Sequence, residues 1–214
     1  MKIAIIGTGN VGRALGSSFA KAGHAVTFAA RDAARTADAA KATGGTAAAS
    51  PVEAATGADV IVLAVPFTQA EAVAADLATV AAGKVVIDAT NPLKPDYSGL
   101  ATDGGPSGAE RIAAALGGAP VVKAFNTLFA SIQGNPEAHG QVLDALYATD
   151  DDAAGAIVAG LATDIGFRPV KVGPLTASHE LESMAWLNIR LQLLTGGAWQ
   201  SSYGLVAPPA AAVA

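Results

Sequence analysis

Gly7, Gly9 and Gly12 stand in the run Gly7-Thr8-Gly9-Asn10-Val11-Gly12, directly after the apolar stretch KIAII. Glycines at this spacing suit the binding of a diphosphate. The first permits a tight turn, the second lets the backbone approach the phosphates, and the third lets the following helix lie close to the strand. A helix start adds free N–H groups and the positive end of its dipole, both of which favour negative charge. The pattern alone is weak, and its context strengthens it. A strand precedes it, a helix over Asn10–Ala22 follows and stops at Gly23, and a second strand, AVTFAA, comes next. The expected ligand is a dinucleotide.

The tip of that second strand bears on which one. NAD sites usually place an acid there to accept the ribose hydroxyls. Here the strand ends Phe28-Ala29-Ala30-Arg31-Asp32. Arg31 can hold a ribose 2′-phosphate bidentately and stack on adenine, and Arg35 lies one helical turn further on the same face. NADP is therefore the expected cofactor. Asp32 allows two roles, accepting a ribose hydroxyl or capping the next helix.

These residues need a sheet to position them. Short β-branched runs alternate with Ala-rich, helix-length segments. The expected strands are Lys2–Ile6, Ala25–Ala29, Gly45–Ala49, Val60–Val65, Val85–Ala89, Val121–Ala124, Val142–Ala148 and Pro169–Val172. The expected helices are Asn10–Ala22, Asp32–Thr43, Pro51–Thr56, Thr68–Ala82, Ser107–Leu116, Asp150–Ile165 and Ser178–Leu194. Continuous apolar strands such as IAII and VIVLAV are buried on both faces. The alternation predicts an α/β fold, a doubly wound, mostly parallel Rossmann-type sheet with helices on both faces and a C-terminal helix. Ligands on such sheets sit outside the carboxyl ends of the strands, at the switch point of strand order. Val65-Pro66, Asn91-Pro92 and Asn126-Thr127 all fall at strand ends of this kind. Asn91 and Asn126 could hold the nicotinamide amide with donors and acceptors, or serve as turn residues bonding their own backbone. Asn91–Pro106, NPLKPDYSGLATDGGP, is the expected long loop.

Composition narrows the classes. The 214 residues are enough for one domain with a sizeable core. With no cysteine, disulfides, thiol catalysis and cysteine metal sites are excluded, and no metal site is expected. The net charge of −5 argues against a nucleic-acid partner. Apolar runs such as Ala58–Phe67 are too short to span a bilayer, and the opening MKIAIIG is too short for a signal peptide, so a soluble cytoplasmic protein is expected. Asp150-Asp151-Asp152 reads as a helix start.

The second half makes a more specific likeness visible. GTGNVG at 7–12, AARDAAR at 29–35, VIVLAVPF at 60–67, VVIDATNPL at 85–93, VVKAFNTL at 121–128 and FRPVKVGPL at 167–175 occur in order. The set resembles the F420-dependent NADP oxidoreductase family over residues 1–195. It also resembles the cytosolic reductase domain of the six-transmembrane metalloreductases. The resemblance implies a compact single-Rossmann reductase that binds NADPH along Thr8, Gly9, Asn10 and Val11, with Arg31 and Arg35 at the 2′-phosphate. It places Val65 and Pro66 beside the ribose and pyrophosphate, and Asn91 and Asn126 near the nicotinamide. Family members often carry a serine before the arginine; Ala30 stands there here, so one phosphate hydrogen bond is missing.

Proton-handling residues are scarce, and no catalytic side chain is expected. His24 lies in the turn after the first helix, His139 in the loop before the seventh strand, and His179 beside Ser178 at the start of the last helix. Lys123, inside the sixth strand, could be a functional cation, but an edge or snorkelling lysine is expected. Reducing a ketone needs a proton donor at oxygen, whereas hydride transfer to a flavin-like ring needs mainly stacking and orientation. The expected co-substrate is coenzyme F420 or a flavin, and Lys94 could meet the anionic tail of F420. A dehydrogenase or imine reductase of a small substrate, or an NADP-sensing module, is the alternative. The last helix carries two apolar stripes: Leu181, Met184, Leu187, Leu191 and Leu194, and Trp186, Ile189 and Leu193. The expected division is a nucleotide-binding domain over 1–173 and a helix and tail over 174–214 that dimerises or covers the site. A homodimer is favoured over a tail that folds back, and 208–214 is expected to be disordered.

Overall fold

The computed structural model describes residues 1–205. Eight strands form one sheet: β1 Lys2–Ile6, β2 Ala25–Ala29, β3 Thr46–Ala47, β4 Val60–Leu63, β5 Val85–Asp88, β6 Val121–Ala124, β7 Asp144–Ala148 and β8 Arg168–Gly173. Their order is β3-β2-β1-β4-β5-β6-β7-β8. All pairs are parallel except β6 with β7. The helices are α1 Asn10–Lys21, α2 Ala33–Thr43, α3 Pro51–Thr56, α4 Phe67–Ala81, α5 Gly108–Leu116, α6 Ala130–Gln133, α7 Asp152–Asp164 and α8 Ser178–Thr195. The doubly wound fold read from the sequence is thus the fold observed. Alternation along β1 shows both faces covered. Ile3 and Ile5 join a core with Leu15 and Phe19 of α1 and Val158 of α7, while Ala4 and Ile6 join another with Leu77 of α4 and Ile112 of α5. The stretch 208–214, expected to be disordered, lies outside the described residues.

Local chemistry explains the boundaries. Asp151 starts α7 by accepting the Ala154 N–H at 2.8 Å, and Ser107 and Glu110 form a reciprocal capping box at α5. Asp32 accepts the Arg35 N–H at 3.0 Å, which settles its role as the cap of α2. β4 stops at Leu63, two residues short of the expected end, and Pro66 takes the position just before α4 without a side-chain capping bond.

Lys123 departs from expectation. It sits in β6, inside the sheet between β5 and β7, and is 0% exposed. Its ammonium donates to Asp88 Oδ2 of β5 at 2.9 Å and to the Thr90 carbonyl at 2.7 Å, and lies 3.0 Å from Glu182 Oε1 of α8. A lysine cannot snorkel from the interior of a sheet, so its charge is met where it stands. Asp88 Oδ1 also accepts from the Thr90 N–H and hydroxyl. Glu182 accepts from the N–H groups of Gly108 and Ala109, at the positive end of α5. Burial alone would lower the Lys123 pKa, but the two carboxylates and their hydrogen bonds outweigh it and hold the ammonium above its ordinary value near 10.5.

Replacing Lys123 with Met leaves two buried carboxylates without their counter-charge. Denaturant unfolding of Lys123→Met should show a loss of about 3–5 kcal/mol. Because the folded pKa is raised, the contribution of Lys123 is complete below its unfolded value and is lost only as pH rises through the higher folded one. A Lys123→Met protein as stable as the wild type would show that the buried charge is not held by this triad.

Candidate active site: a crevice along the carboxyl ends of the strands

The turn after β1 does what its glycines suggest. Gly7 has φ of +121°, and a methyl group there would lie 2.2 Å from the Ala64 carbonyl oxygen. A methyl at Gly12 would lie 2.1 Å from the Gly7 carbonyl oxygen. At Gly9 a methyl would meet nothing within 4 Å, because it projects into an open crevice. Packing therefore demands glycine at 7 and 12, whereas at 9 the protein itself does not. The helix starts point the same way. α2, α3, α5 and α7 are each capped by a side chain, whereas α1, α4, α6 and α8 are not; of these, α1 and α4 start beside the glycine turn and leave their first N–H groups free of a side-chain cap there.

The crevice has three joined parts. The first, about 570 Å³, is walled by Thr8, Arg31, Arg35, Val65, Pro66 and Gln69. The second, about 540 Å³, shares Gly9, Val65 and Pro66 with the first and runs past Val11 to Asn91 and Lys94. The third, about 720 Å³, continues from Asn10, Asn91 and Tyr97 to Phe129, Ile189 and Trp199. Every residue expected at the cofactor except Gly12 lines this path; Gly12 packs beneath it. Such a path, basic at one end, open over Gly9 and apolar at the other, fits a dinucleotide phosphate.

Arg31 and Arg35 are exposed at the first end. Arg13, which sequence reasoning missed, donates to the Thr8 carbonyl at 3.0 Å and the Arg35 carbonyl at 3.2 Å, so a third guanidinium braces the glycine turn against α2. The two asparagines meet each other. Asn126 Nδ2 donates to Asn91 Oδ1 at 2.9 Å and to the Leu181 carbonyl at 3.0 Å, and Asn91 Nδ2 donates to the Asn126 carbonyl at 3.1 Å. The pair staples the ends of β5 and β6 to α8. Asn126 spends both its hydrogens on that staple, and Asn91 keeps one free. Between them Phe125 is held at φ of +63° and is 1% exposed, a strained conformation for a bulky residue. Gln133 of α6 fixes this turn by donating to the carbonyls of Phe125 and Leu128.

His24 and His179 stand elsewhere. His24 lies 3.1 Å from Asp164, as a structural residue, and His179 lies 3.2 Å from Glu110. Lys94 reaches the middle of the crevice and pairs with Asp103 of its own loop at 3.1 Å. Among the described residues no acidic or histidine cluster could hold a metal ion, and no helix is long and apolar enough to cross a membrane. Tyr97, which sequence reasoning also missed, is the one titratable side chain on the third part and is 53% exposed.

The α8 stripes divide differently from the expectation. Leu181, Ala185 and Ile189 are buried, Leu193 and Ile189 line the third cavity, and Leu187, Leu191 and Leu194 are exposed along one side. The described part of the tail, up to Leu205, folds back. Arg168 donates to the Leu205 carbonyl at 3.0 Å, and the Leu205 N–H donates to Asp144 at 2.7 Å.

Comparison with known proteins agrees with this geometry. Residues 2–92 match the family model described as NADP oxidoreductase, coenzyme F420-dependent. The chain is 34% identical over 212 residues to the F420-dependent NADP reductase of Methanothermobacter thermautotrophicus, covering 90% of each chain. The chain belongs to the F420-dependent NADP oxidoreductase family. It is thus an NADP-dependent oxidoreductase, as the motifs implied. A crystal structure of a protein described as a candidate F420-dependent NADP-reductase, from Arthrobacter sp. FB24, superposes with a TM-score of 0.88. It is 29% identical, and the match covers 97% of this chain and 100% of that one. Metalloreductase STEAP3 of Rattus norvegicus is 30% identical over 189 residues, which is 86% of this chain but 36% of that protein.

Two glycine variants separate binding from folding. Gly12→Ala should lose about 1–3 kcal/mol of stability through overpacking against the Gly7 carbonyl. Gly9→Ala should unfold like the wild type yet lose NADPH binding in a fluorescence titration. Unchanged binding in Gly9→Ala would place the diphosphate elsewhere.

Proposed function

We propose that the protein transfers a hydride between NADP(H) and a deazaflavin or flavin ring, with coenzyme F420 as the acceptor. The observation that carries this reading is the third cavity. It lies beyond the asparagine pair, is large enough for a fused ring, and has apolar and amide walls with no buried acid. When bound, NADPH supplies the hydride. The N–H groups of Asn10 and Val11 take the diphosphate at the uncapped end of α1. Arg31 and Arg35 take the 2′-phosphate, Val65 and Pro66 flank the ribose, and Asn91 offers its remaining hydrogen to the carboxamide. Leu93 and Ile189 exclude water. A ring that delocalises the incoming charge asks for no side-chain acid. The name of the methanogen relative supports F420 over other rings.

One observation favours a second reading. The Tyr97 phenol lines the cavity and could protonate a small carbonyl or imine substrate. On the leading reading Tyr97→Phe leaves the rate of hydride transfer to F420 or FMN nearly unchanged. A loss of about 100-fold in the reduction of a small carbonyl or imine would support the second.

The exposed Leu187, Leu191 and Leu194 stripe supports a homodimer built on α8, over the described residues. A cytoplasmic location goes with this reading. Residues 1–173 then carry the cofactor, and the second division, over its described residues 174–205, the acceptor wall and the subunit contact.

Two measurements test the function. Stopped-flow absorbance of the protein with NADP and reduced F420, or with NADPH and FMN, should show hydride transfer; none with either ring removes the proposal. Arg31→Ala should weaken NADPH binding at least about tenfold, the value of one charged hydrogen bond. The same variant should leave NADH binding alone, and equal effects on both cofactors would contradict the phosphate assignment.

A further inference from the structure

Beyond α8 the chain turns at Gly196, which has φ of +61°, and passes Trp199 before running to Leu205. Trp199 has a left-handed backbone, φ +56°, which is strained for a bulky residue and persists only where the surroundings impose it. The surroundings here are unusual. Asn188 and Gln192 are amides buried on the inner side of α8, at 3% and 9% exposure, where apolar residues would otherwise pack. Both are spent on this strap. Gln192 Oε1 accepts the Trp199 N–H at 3.0 Å, and Gln192 Nε2 donates to the Ser201 hydroxyl at 2.8 Å. Asn188 Nδ2 donates to the Ser201 carbonyl at 3.2 Å, and its oxygen accepts from the Ser201 hydroxyl. From the other side, the Ser131 hydroxyl donates to the Trp199 carbonyl.

These bonds converge on the placement of one indole. Trp199 lies against Phe129, with ring centroids 5.3 Å apart and an interplanar angle of 73°. Two rings at that angle make a corner rather than a stack, so a flat ligand can lie against one aromatic face while the other closes its edge. Both residues line the third cavity, and Trp199 remains 39% exposed. A Trp this exposed, on strained backbone and fixed by buried amides, is not explained by core packing.

We infer that Trp199 is the specificity-determining residue for the acceptor: with Phe129 it forms a fixed aromatic corner that selects a planar fused-ring co-substrate. The inference rests on the hydride-transfer reading above for the cavity's role, but it concerns ring binding and is tested apart from turnover. Oxidised F420 and FMN, titrated separately in the presence of NADP, distinguish the two sources of such a ring through their own fluorescence. For whichever ring the wild type holds, Trp199→Ala should raise the Kd about tenfold, the scale of one ring stacked on an aromatic side chain. Trp199→Phe should restore most of the affinity, and the Kd for NADPH and the unfolding midpoint should stay unchanged in both variants. In turnover, the KM for the acceptor should rise while that for NADPH does not. Equal ring affinity in wild type and Trp199→Ala would overturn the inference, as would failure of the wild type to hold either ring. A wild type that holds a ring through Trp199 yet transfers no hydride would sink the proposed function and leave the inference standing.

Discussion

The Lys123 ammonium, sealed inside the sheet between Asp88 and Glu182, is the constraint on which the rest of the molecule depends. A charge at 0% exposure persists only if every hydrogen it carries is met, and here three oxygens from three parts of the chain meet them. Asp88 ends β5, Thr90 starts the loop that carries Asn91, and Glu182 belongs to α8. Glu182 in turn sits on the first N–H groups of α5. One ionic knot therefore fixes the mutual position of two strands, the long loop and two helices. The segments that follow the two strands, the long loop and α8 all contribute walls to the crevice.

The knot lies behind the third part of the crevice, whose walls are largely apolar. Lys123 sits two residues before Phe125 and three before Asn126, so the strained turn at Phe125 starts from a strand that cannot shift. The Asn91–Asn126 staple repeats the same logic one layer nearer the cavity, linking β5, β6 and α8 by neutral hydrogen bonds. The polar groups on this side of the crevice are thus mostly committed to one another. What faces the cavity beyond them is the apolar side of α8 and the aromatic corner of Phe129 and Trp199. At the opposite end the design reverses: arginines are exposed, α1 and α4 start without a side-chain cap and the glycine turn is open. A ligand with an anionic end and a flat, weakly polar end is matched along its length.

Much of this was legible in the sequence because its signals are local. The strand, glycine turn and helix at 2–22 are contiguous, so their spacing carried the geometry. Asp151 and Ser107 stand one residue before the helices they cap. What escaped depends on partners remote in sequence. A single lysine in the run VVKAF gives no sign that its carboxylates lie at 88 and 182, and an edge position was the simpler reading. The same distance hid the Asn91–Asn126 bond, since each asparagine alone is an ordinary turn residue. α8 was misdivided for a different reason. The helix serves the sheet on one side, the cavity on another and solvent on a third, so its apolar residues run nearly all round and no stripe stands out. Trp199 lies past the last periodic element, where pattern reasoning has nothing to count.

A crystal structure with NADP bound tests the account most directly. The account places the diphosphate over Gly9 on the N–H groups of Asn10 and Val11, the adenosine 2′-phosphate between Arg31 and Arg35, and the nicotinamide beside the Asn91–Asn126 pair with one face open to the Trp199 cavity. Adenosine lying in the Trp199 cavity, or a nucleotide bound outside the crevice above β1 and β4, would contradict it.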